Sequence, residues 1–232
     1  METATVSPLQ KEDILHYLSI SDAIVEEYQK GQEIYTADST ENLCIHYLDC
    51  GRVVTQIKTT KGKLIGLEIL EADDVLGLEA TTGRYRNFAV CTERSRIFSW
   101  PIESFSKLMQ AKPPFAMGLF QLAIDRLIYY QRRIEQLTTL RVKYRIAMVI
   151  IEAAEKQKLR TPEARVDDCI TLPPLTHETI ASFIGSSRVL VTHQLNALRR
   201  AGYIDYRHSK IRILKFQELT EFAQNSGHSS KH

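Results

Sequence analysis

The sequence predicts an α+β protein: an N-terminal sandwich or small barrel of short strands, one long helix, and a C-terminal winged helix-turn-helix. Three observations predict it. Six short β-rich runs separated by turn signals lie between residues 33 and 100. From Phe115 to about Leu140 there is no proline and no glycine beyond Gly118, and apolar residues recur at spacings of three and four. Leu175–Leu198 then sets two apolar helical patterns around a single glycine. With 232 residues the chain accommodates one large domain or two modest ones. The pattern divides it into a strand-rich domain over 1–112, a long helix over 113–141, a winged helix-turn-helix over 142–222 and a polar tail over 223–232. That tail is expected to be disordered.

Residues 10–29 read as one or two short helices, with Ile14, Leu15, Leu18, Ile24 and Val25 as their apolar positions. Strand-like runs follow at Glu33–Tyr35, Leu43–Leu48, Val53–Thr59, Leu64–Leu70, Phe88–Cys91 and Arg96–Trp100. Between them lie the turn signals Ala37-Asp38-Ser39, Asp49-Cys50-Gly51, Lys61-Gly62-Lys63 and Ala72-Asp73-Asp74. Strands in succession without intervening helices exclude a βαβ arrangement. His46 is the only histidine of this strand-rich stretch, with no His-x-His pair, so a metal-dependent barrel enzyme lacks its ligands. It reads as a strand residue with an ordinary hydrogen bond.

Pro101 ends the strands and residues 102–110 suit a short helix. Pro113-Pro114 precedes the long helix, where proline is tolerated. Met117, Phe120, Ile124, Leu127, Gln131 and Ile134 follow the seam spacing of a coiled coil. Leu119, Leu122, Arg126, Tyr129 and Leu137 form a second stripe able to face the chain's own barrel. A helix with two stripes serves two surfaces, which points to a homodimer; packing on its own domain alone is the plainer reading. Arg141–Lys158 reads as a further helix with Ile146, Val149, Ile150 and Ala153 inward, Leu159–Asp168 as a charged loop, and Ile170–Leu172 as a short strand.

In the stretch from Leu175, Thr176 can cap a first helix whose apolar face is Ile180, Phe183 and Ile184. Gly185 supplies a turn that a residue with a Cβ resists. Ser186 or Ser187 can cap a second helix carrying Val191, Leu195 and Leu198 inward. Tyr203–Tyr206 and Lys210–Leu214 then form a hairpin wing. An ordinary helical hairpin would share this pattern; the charge separates the two. Arg188, Arg199, Arg200, Arg207, Lys210, Arg212 and Lys215 stand against only Glu178 and Asp205. One departure is Gln194, at a position where such motifs usually place an apolar core residue.

Charge is also divided along the chain. Residues 1–112 contain 12 basic and 17 acidic residues, and residues 113–232 contain 18 basic and 11 acidic. Only the second half is therefore expected to meet a polyanion. An apolar fraction of 44% with 25% charged residues is that of a soluble globular protein. No signal-peptide pattern or membrane-spanning run occurs, which points to the cytoplasm and to no membrane partner. Cys44, Cys50, Cys91 and Cys169 are scattered without a Cys-x-x-Cys pair, so zinc and iron–sulfur sites are not expected. They read as buried reduced thiols.

This order of parts resembles the CRP/FNR superfamily of bacterial transcription factors, named for the cAMP receptor protein and the fumarate–nitrate reduction regulator. Asp49-Cys50-Gly51-Arg52, Lys61-Gly62-Lys63 and Asp74-Val75-Leu76-Gly77 sit at the spacings of that family's β-roll turns. Ile180–Thr192 is its sharpest match, most similar to the cyanobacterial global nitrogen regulator branch. The resemblance implies a cyclic-nucleotide-binding-like jelly roll as effector domain, a dimerisation helix, and a winged helix-turn-helix on palindromic double-stranded DNA. It implies no catalysis.

Carried over position by position, the resemblance places Arg188 on a guanine through a two-bond fork. Val189 stands where the cAMP-responsive branch has glutamate, and is expected against a thymine methyl. His193 falls where an arginine is usual, and Thr192 belongs to the same DNA-facing set. Thr176, Ser187 and Arg207 match phosphate-contacting positions, which set register. For the effector, the resemblance implies Gly77, Leu78, Arg86 and Asn87 at the nucleotide-cradling turn. Arg126 and Gln131 align with the arginine and glutamate that hold 2-oxoglutarate in the nitrogen-regulator branch. A small anion, 2-oxoglutarate-like or a cyclic nucleotide, is the implied ligand, with Arg84, Arg86 and Arg126 able to gather around it. Action without an effector is the other possibility. Cyclic AMP is disfavoured, because Glu79 is displaced by one position and Asn87 replaces the family serine. RNA polymerase is a further implied partner, through the loop Leu159–Asp168. The alternative function is a ligand-binding module whose helix-turn-helix mediates protein interaction.

Overall fold

The computed structural model describes residues 23–160, 170–207 and 210–224 and divides into two compact units, Met1–Tyr130 and Gln131–His232. In the first unit eight strands run as β1 Ile24–Tyr28, β2 Glu33–Tyr35, β3 Cys44–Cys50, β4 Arg52–Lys58, β5 Leu64–Glu71, β6 Val75–Leu76, β7 Phe88–Cys91 and β8 Ser95–Pro101. They pair antiparallel into two four-stranded sheets, β1-β8-β3-β6 and β2-β7-β4-β5. Ile45, Tyr47, Val53, Leu70, Ile97 and Trp100 from both sheets meet in one core. β5 shows why: Gly66, Glu68 and Leu70 are buried while their neighbours are not, the two-residue alternation of a strand covered on one face. The turns read from the sequence carry the positive-φ residues Asp38, Gly51, Gly62 and Asp73.

Two strands differ from the sequence reading. Ile24–Tyr28, expected within a helix, is β1 and pairs with β8 from Ile24↔Ser99 to Tyr28↔Ser95. Its apolar Ile24 and Val25 are exposed, so the helical spacing there reflects no buried face; ladder pairing decides the conformation. The rest of that expected helix, from residue 10 to 22, lies outside the described residues. β6 has two residues and pairs His46↔Leu76 and Tyr47↔Val75, too short to show as a periodic run.

Helix α1, Ile102–Ala111, is followed directly by α2, Pro113–Thr139, which opens on proline where its missing N–H costs nothing. Phe105, Phe115 and Leu119 enter the sandwich core, with Phe105 and Phe115 edge to face at 6.0 Å. The seam residues Met117, Phe120, Leu127 and Ile134 are 50–62% exposed. Gln131 is exposed as well, and Ile124 is half-buried. Leu122, Arg126 and Tyr129 lie against the strands as the second stripe requires. Leu137 belongs to the second unit, where its carbonyl accepts from Arg145.

In the second unit, α3 is Val142–Arg160, with Ile146, Val149, Ile150 and Ala154 buried; Ala154 takes the inward place expected for Ala153. α4, His177–Phe183, and α5, Arg188–Arg200, are joined through Gly185 at φ 65°. β9 Ile170–Thr171, β10 Ile204–Arg207 and β11 Lys210–Ile213 form a three-stranded sheet in the order β10-β11-β9. α6, Phe216–Gln224, buries Leu219 and Ala223 and sets Phe222 against Tyr144 at 5.1 Å. This helix has no counterpart in the sequence reading, and it occupies residues 223 and 224 of the expected tail. Residues 225–232, 208–209 and 161–169, the last covering most of the expected charged loop, lie outside the described residues.

Candidate nucleic-acid interface and sandwich cavity

The helix-turn-helix is held by its caps and its seam. The Thr176 hydroxyl accepts from the Thr179 amide at 3.0 Å, and the Ser187 hydroxyl accepts from the Leu190 amide at 3.3 Å. Each satisfies an amide that the first helical turn leaves without a partner. Val191, Leu195 and Leu198 of α5 pack inward, as do Ile180, Phe183 and Ile184. Gln194 is half-buried and sits beside His193, 3.4 Å from its Nδ1, so it is not the core residue that its position suggested.

The opposite face of α5 is open. Arg188, Val189 and His193 are exposed, and Val189 at 80% is the most exposed large apolar side chain described. An isopropyl group held out at a helix start suits contact with another apolar surface. Arg199, Arg200, Arg207, Lys210 and Arg212 are exposed too. Arg199 lies over the Tyr206 ring at 5.2 Å, and Lys215 pairs with Glu218 at 2.7 Å.

Thr192 does not present a free hydroxyl. It donates to the Arg188 carbonyl at 2.9 Å, and His177 Nδ1 lies 2.8 Å from the same oxygen. With the Thr192 proton committed, the His177 Nδ1–H is the donor. The Thr192 proton is thus not free to donate elsewhere. His177 also meets Tyr206 edge to face at 5.2 Å, and Tyr206 donates to Asn196 at 2.9 Å. α4, α5 and the β10–β11 wing are thus joined by one chain of contacts. Burial, then the Arg188 charge, lowers the His177 pKa and keeps the ring neutral. Neither His177 nor Tyr206 stands out in the sequence, since their partners lie 15 and 10 residues away with no local signal. Arg133 is missed for the same reason: it is buried, and its guanidinium donates to the Phe183 carbonyl at 2.6 Å and lies over the Phe183 ring.

A cavity of about 160 Å³ lies between the strands and α2 in the first unit. Gly77, Leu78, Asn87 and Arg126 line it, together with Tyr35, Thr55, Glu68, Glu79 and Tyr130. Arg126 contacts Glu68 through Nε at 3.2 Å and donates to the Val75 carbonyl. Asn87 donates to Glu79 and accepts from Tyr35. Burial raises the Tyr35 and Tyr130 phenols well above their usual range, so both stay protonated.

The rest of the expected effector set does not converge. Arg86 is exposed and off the cavity wall, and Gln131 is exposed in the second unit. Arg84 is exposed and 3.8 Å from Asp38. The anticipated three-arginine anion site is therefore not formed, and two carboxylates face the cavity instead. A cyclic nucleotide also exceeds a space close to that of a benzene-sized cavity. His46 is buried between Ser99 at 2.8 Å and Tyr85 at 3.0 Å, and burial lowers its pKa to about 3. Cys91 is buried, but Cys44 is half-buried and Cys50 exposed, so the thiols are not uniformly interior. Among the described residues no group of three or more His, Cys, Asp or Glu could hold a metal ion. No described helix is long and apolar enough to cross a membrane.

A jelly-roll sandwich, a long helix with an open apolar face and a winged helix-turn-helix define a regulator of transcription built on a DNA-binding domain. Residues 144–222 match the Crp-like helix-turn-helix domain. Transcriptional regulator SdrP of Thermus thermophilus is 29% identical over 178 residues, 76% of this chain and 82% of that protein. The global nitrogen regulator of Synechococcus elongatus is 26% identical over 202 residues, 85% of this chain and 88% of that protein. Among solved structures, a CRP/FNR-family transcriptional regulator from Thermus thermophilus matches with a TM-score of 0.71 at 26% identity, over 88% of this chain and 100% of that one. A mutant of CooA from Carboxydothermus hydrogenoformans has the same fold, with a TM-score of 0.75 at 24% identity, covering 90% of each chain. Residues 144–222 thus carry a Crp-like helix-turn-helix domain, and the chain is similar over most of its length to transcriptional regulators of the CRP/FNR family.

Proposed function

We propose that the protein is a cytoplasmic homodimer that binds a palindromic DNA site and is controlled by a small effector in the sandwich cavity. The open face of α5 carries this reading: Arg188, Val189 and His193 project from a helix whose other side is packed. Arg188 can donate two bonds to one guanine, Val189 can meet a thymine methyl, and His193 reads an inner position. Ser187, Thr176 and Arg207 fix register on phosphates, the first two keeping their oxygens on helix caps. Two copies joined along Met117, Phe120, Leu127 and Ile134 read half-sites about one helical turn apart. An activator contact with RNA polymerase through residues 159–168 completes the proposal.

Gel shifts with a randomised palindromic library over a salt series test it. Enrichment of one palindrome, with affinity falling as salt rises, is expected. No preference over random duplex, or binding indifferent to salt, would favour a protein-interaction role for the helix-turn-helix.

A further inference from the structure

The sandwich cavity holds more carboxylate than its cation offsets. Glu68 and Glu79 face it, against Arg126 alone, and Arg126 already contacts Glu68. Thr55 lines the same space, is 3% exposed, and has a hydroxyl with no hydrogen-bond partner among the described residues. The ladder between β4 and β5 shifts register at this point: Thr55 faces Glu68, and Gln56 already faces Gly66. Such a bulge aims side chains away from the regular pleat, commonly at functional sites. A buried hydroxyl without a partner is unfavourable, and this one lines a space bordered by two carboxylates.

We propose that the cavity binds a small organic ammonium. Its N–H groups donate to Glu79 and to the Thr55 oxygen, and its apolar body lies among Leu76, Leu78, Ala123 and the rings of Tyr35 and Tyr130. An anion would meet two carboxylates with the nearby guanidinium already engaged. A metal ion would lack a set of three ligands among the described residues. The volume limits the ligand to roughly the size of benzene or slightly more. This identity rests on the reading of the cavity as the effector site. It also supplies a regulatory contact, since an ammonium reaching Glu68 competes with Arg126, the residue before Leu127 of the exposed stripe on α2.

Calorimetric titration of the full-length protein in an amine-free buffer, with cyclohexylammonium, cyclohexanol and cyclohexanecarboxylate, tests the proposal. The three probes share a body and differ in charge. Cyclohexylammonium is expected to bind at least about tenfold tighter than cyclohexanol, and the carboxylate to give no saturable heat. Glu79→Gln should weaken the ammonium about tenfold and leave the alcohol unchanged. Thr55→Val should weaken both, with Thr55→Ser as the replacement if circular dichroism shows the valine variant unfolded. Carboxylate binding as tight as ammonium binding, and sensitive to Thr55, overturns the ligand class while leaving the effector site standing. No binding by any probe overturns both.

Discussion

Arg188→Ala separates base reading from general attraction to DNA. The side chain is exposed at the first position of α5 and makes no hydrogen bond or ion pair among the described residues. Alanine is at least as good a helix former there, so stability should change by no more than about 0.5 kcal/mol. A forked contact to guanine contributes about 1–3 kcal/mol at each half-site. Two half-sites give roughly 2–6 kcal/mol, or about thirty-fold to twenty-thousand-fold in specific affinity. Fluorescence anisotropy on the selected palindrome and on a scrambled duplex, across a salt series, measures both terms. The specific complex should weaken by that factor while the scrambled one changes only a few-fold. An equal loss on both duplexes would make Arg188 a phosphate contact and refute the reasoning. A second readout comes from His177, whose pKa Arg188 helps to lower: in the variant an imidazole titration followed by NMR should move upward.

Three further outcomes are expected. His46 has an ordinary value of 6.5 and is held near 3 in the fold, so below about pH 6.5 the unfolded chain binds a proton that the folded chain refuses. Stability from this group is complete above that pH and falls with acid, by about 1.4 kcal/mol between about pH 7.5 and 5.5; urea melts should show the slope, and His46→Gln should flatten it. Gly51→Ala would put a Cβ 2.2 Å from Ser95 Oγ and 2.6 Å from the Arg94 carbonyl, at φ +102°. A loss of roughly 3 kcal/mol or more in a denaturant melt is expected, and a near-neutral result would mean the turn relaxes. Replacing Phe120 and Leu127 together by Glu, on the exposed stripe, should give a monomer by sedimentation equilibrium and weaken palindrome binding; an unchanged mass would locate the dimer contact elsewhere.

What could be read from the chain depended on how local the cause was. Glu33–Tyr35 and Phe88–Cys91 emerge with the bounds they have in the fold because apolar alternation and flanking turns lie within a few residues. The cap Thr176 is legible for the same reason, and the second cap to within one residue, Ser186 or Ser187, each acting on an amide three residues away. β1 is not, since its conformation comes from β8, some seventy residues on. Among the effector positions, Gly77, Leu78, Asn87 and Arg126 reach the cavity, but the polarity of the site is set by Thr55, Glu68 and Glu79 together. Glu68 reads in sequence as one more strand carboxylate. Only the bulge opposite Thr55 and the guanidinium of Arg126 give it a role.

Arg126 and Arg133 then take on a joint meaning. Seven residues separate them, close to two turns of one helix. Arg126 is held by Glu68 and the Val75 carbonyl, within the unit that contains the cavity. Arg133 is held by the Phe183 carbonyl at the end of α4, within the second unit. A guanidinium bound to a carbonyl fixes helix position more tightly than an apolar contact, because its bonds are directional and it loses them when displaced. On the proposed reading, a ligand that competes for Glu68 would loosen Arg126 and so act on α2 within the first unit. It can bias that helix only by its difference in affinity for the two states of the Arg126–Glu68 contact. On this reading, the strength of regulation is set by how fully the ligand replaces the guanidinium at Glu68, not by how tightly it binds overall.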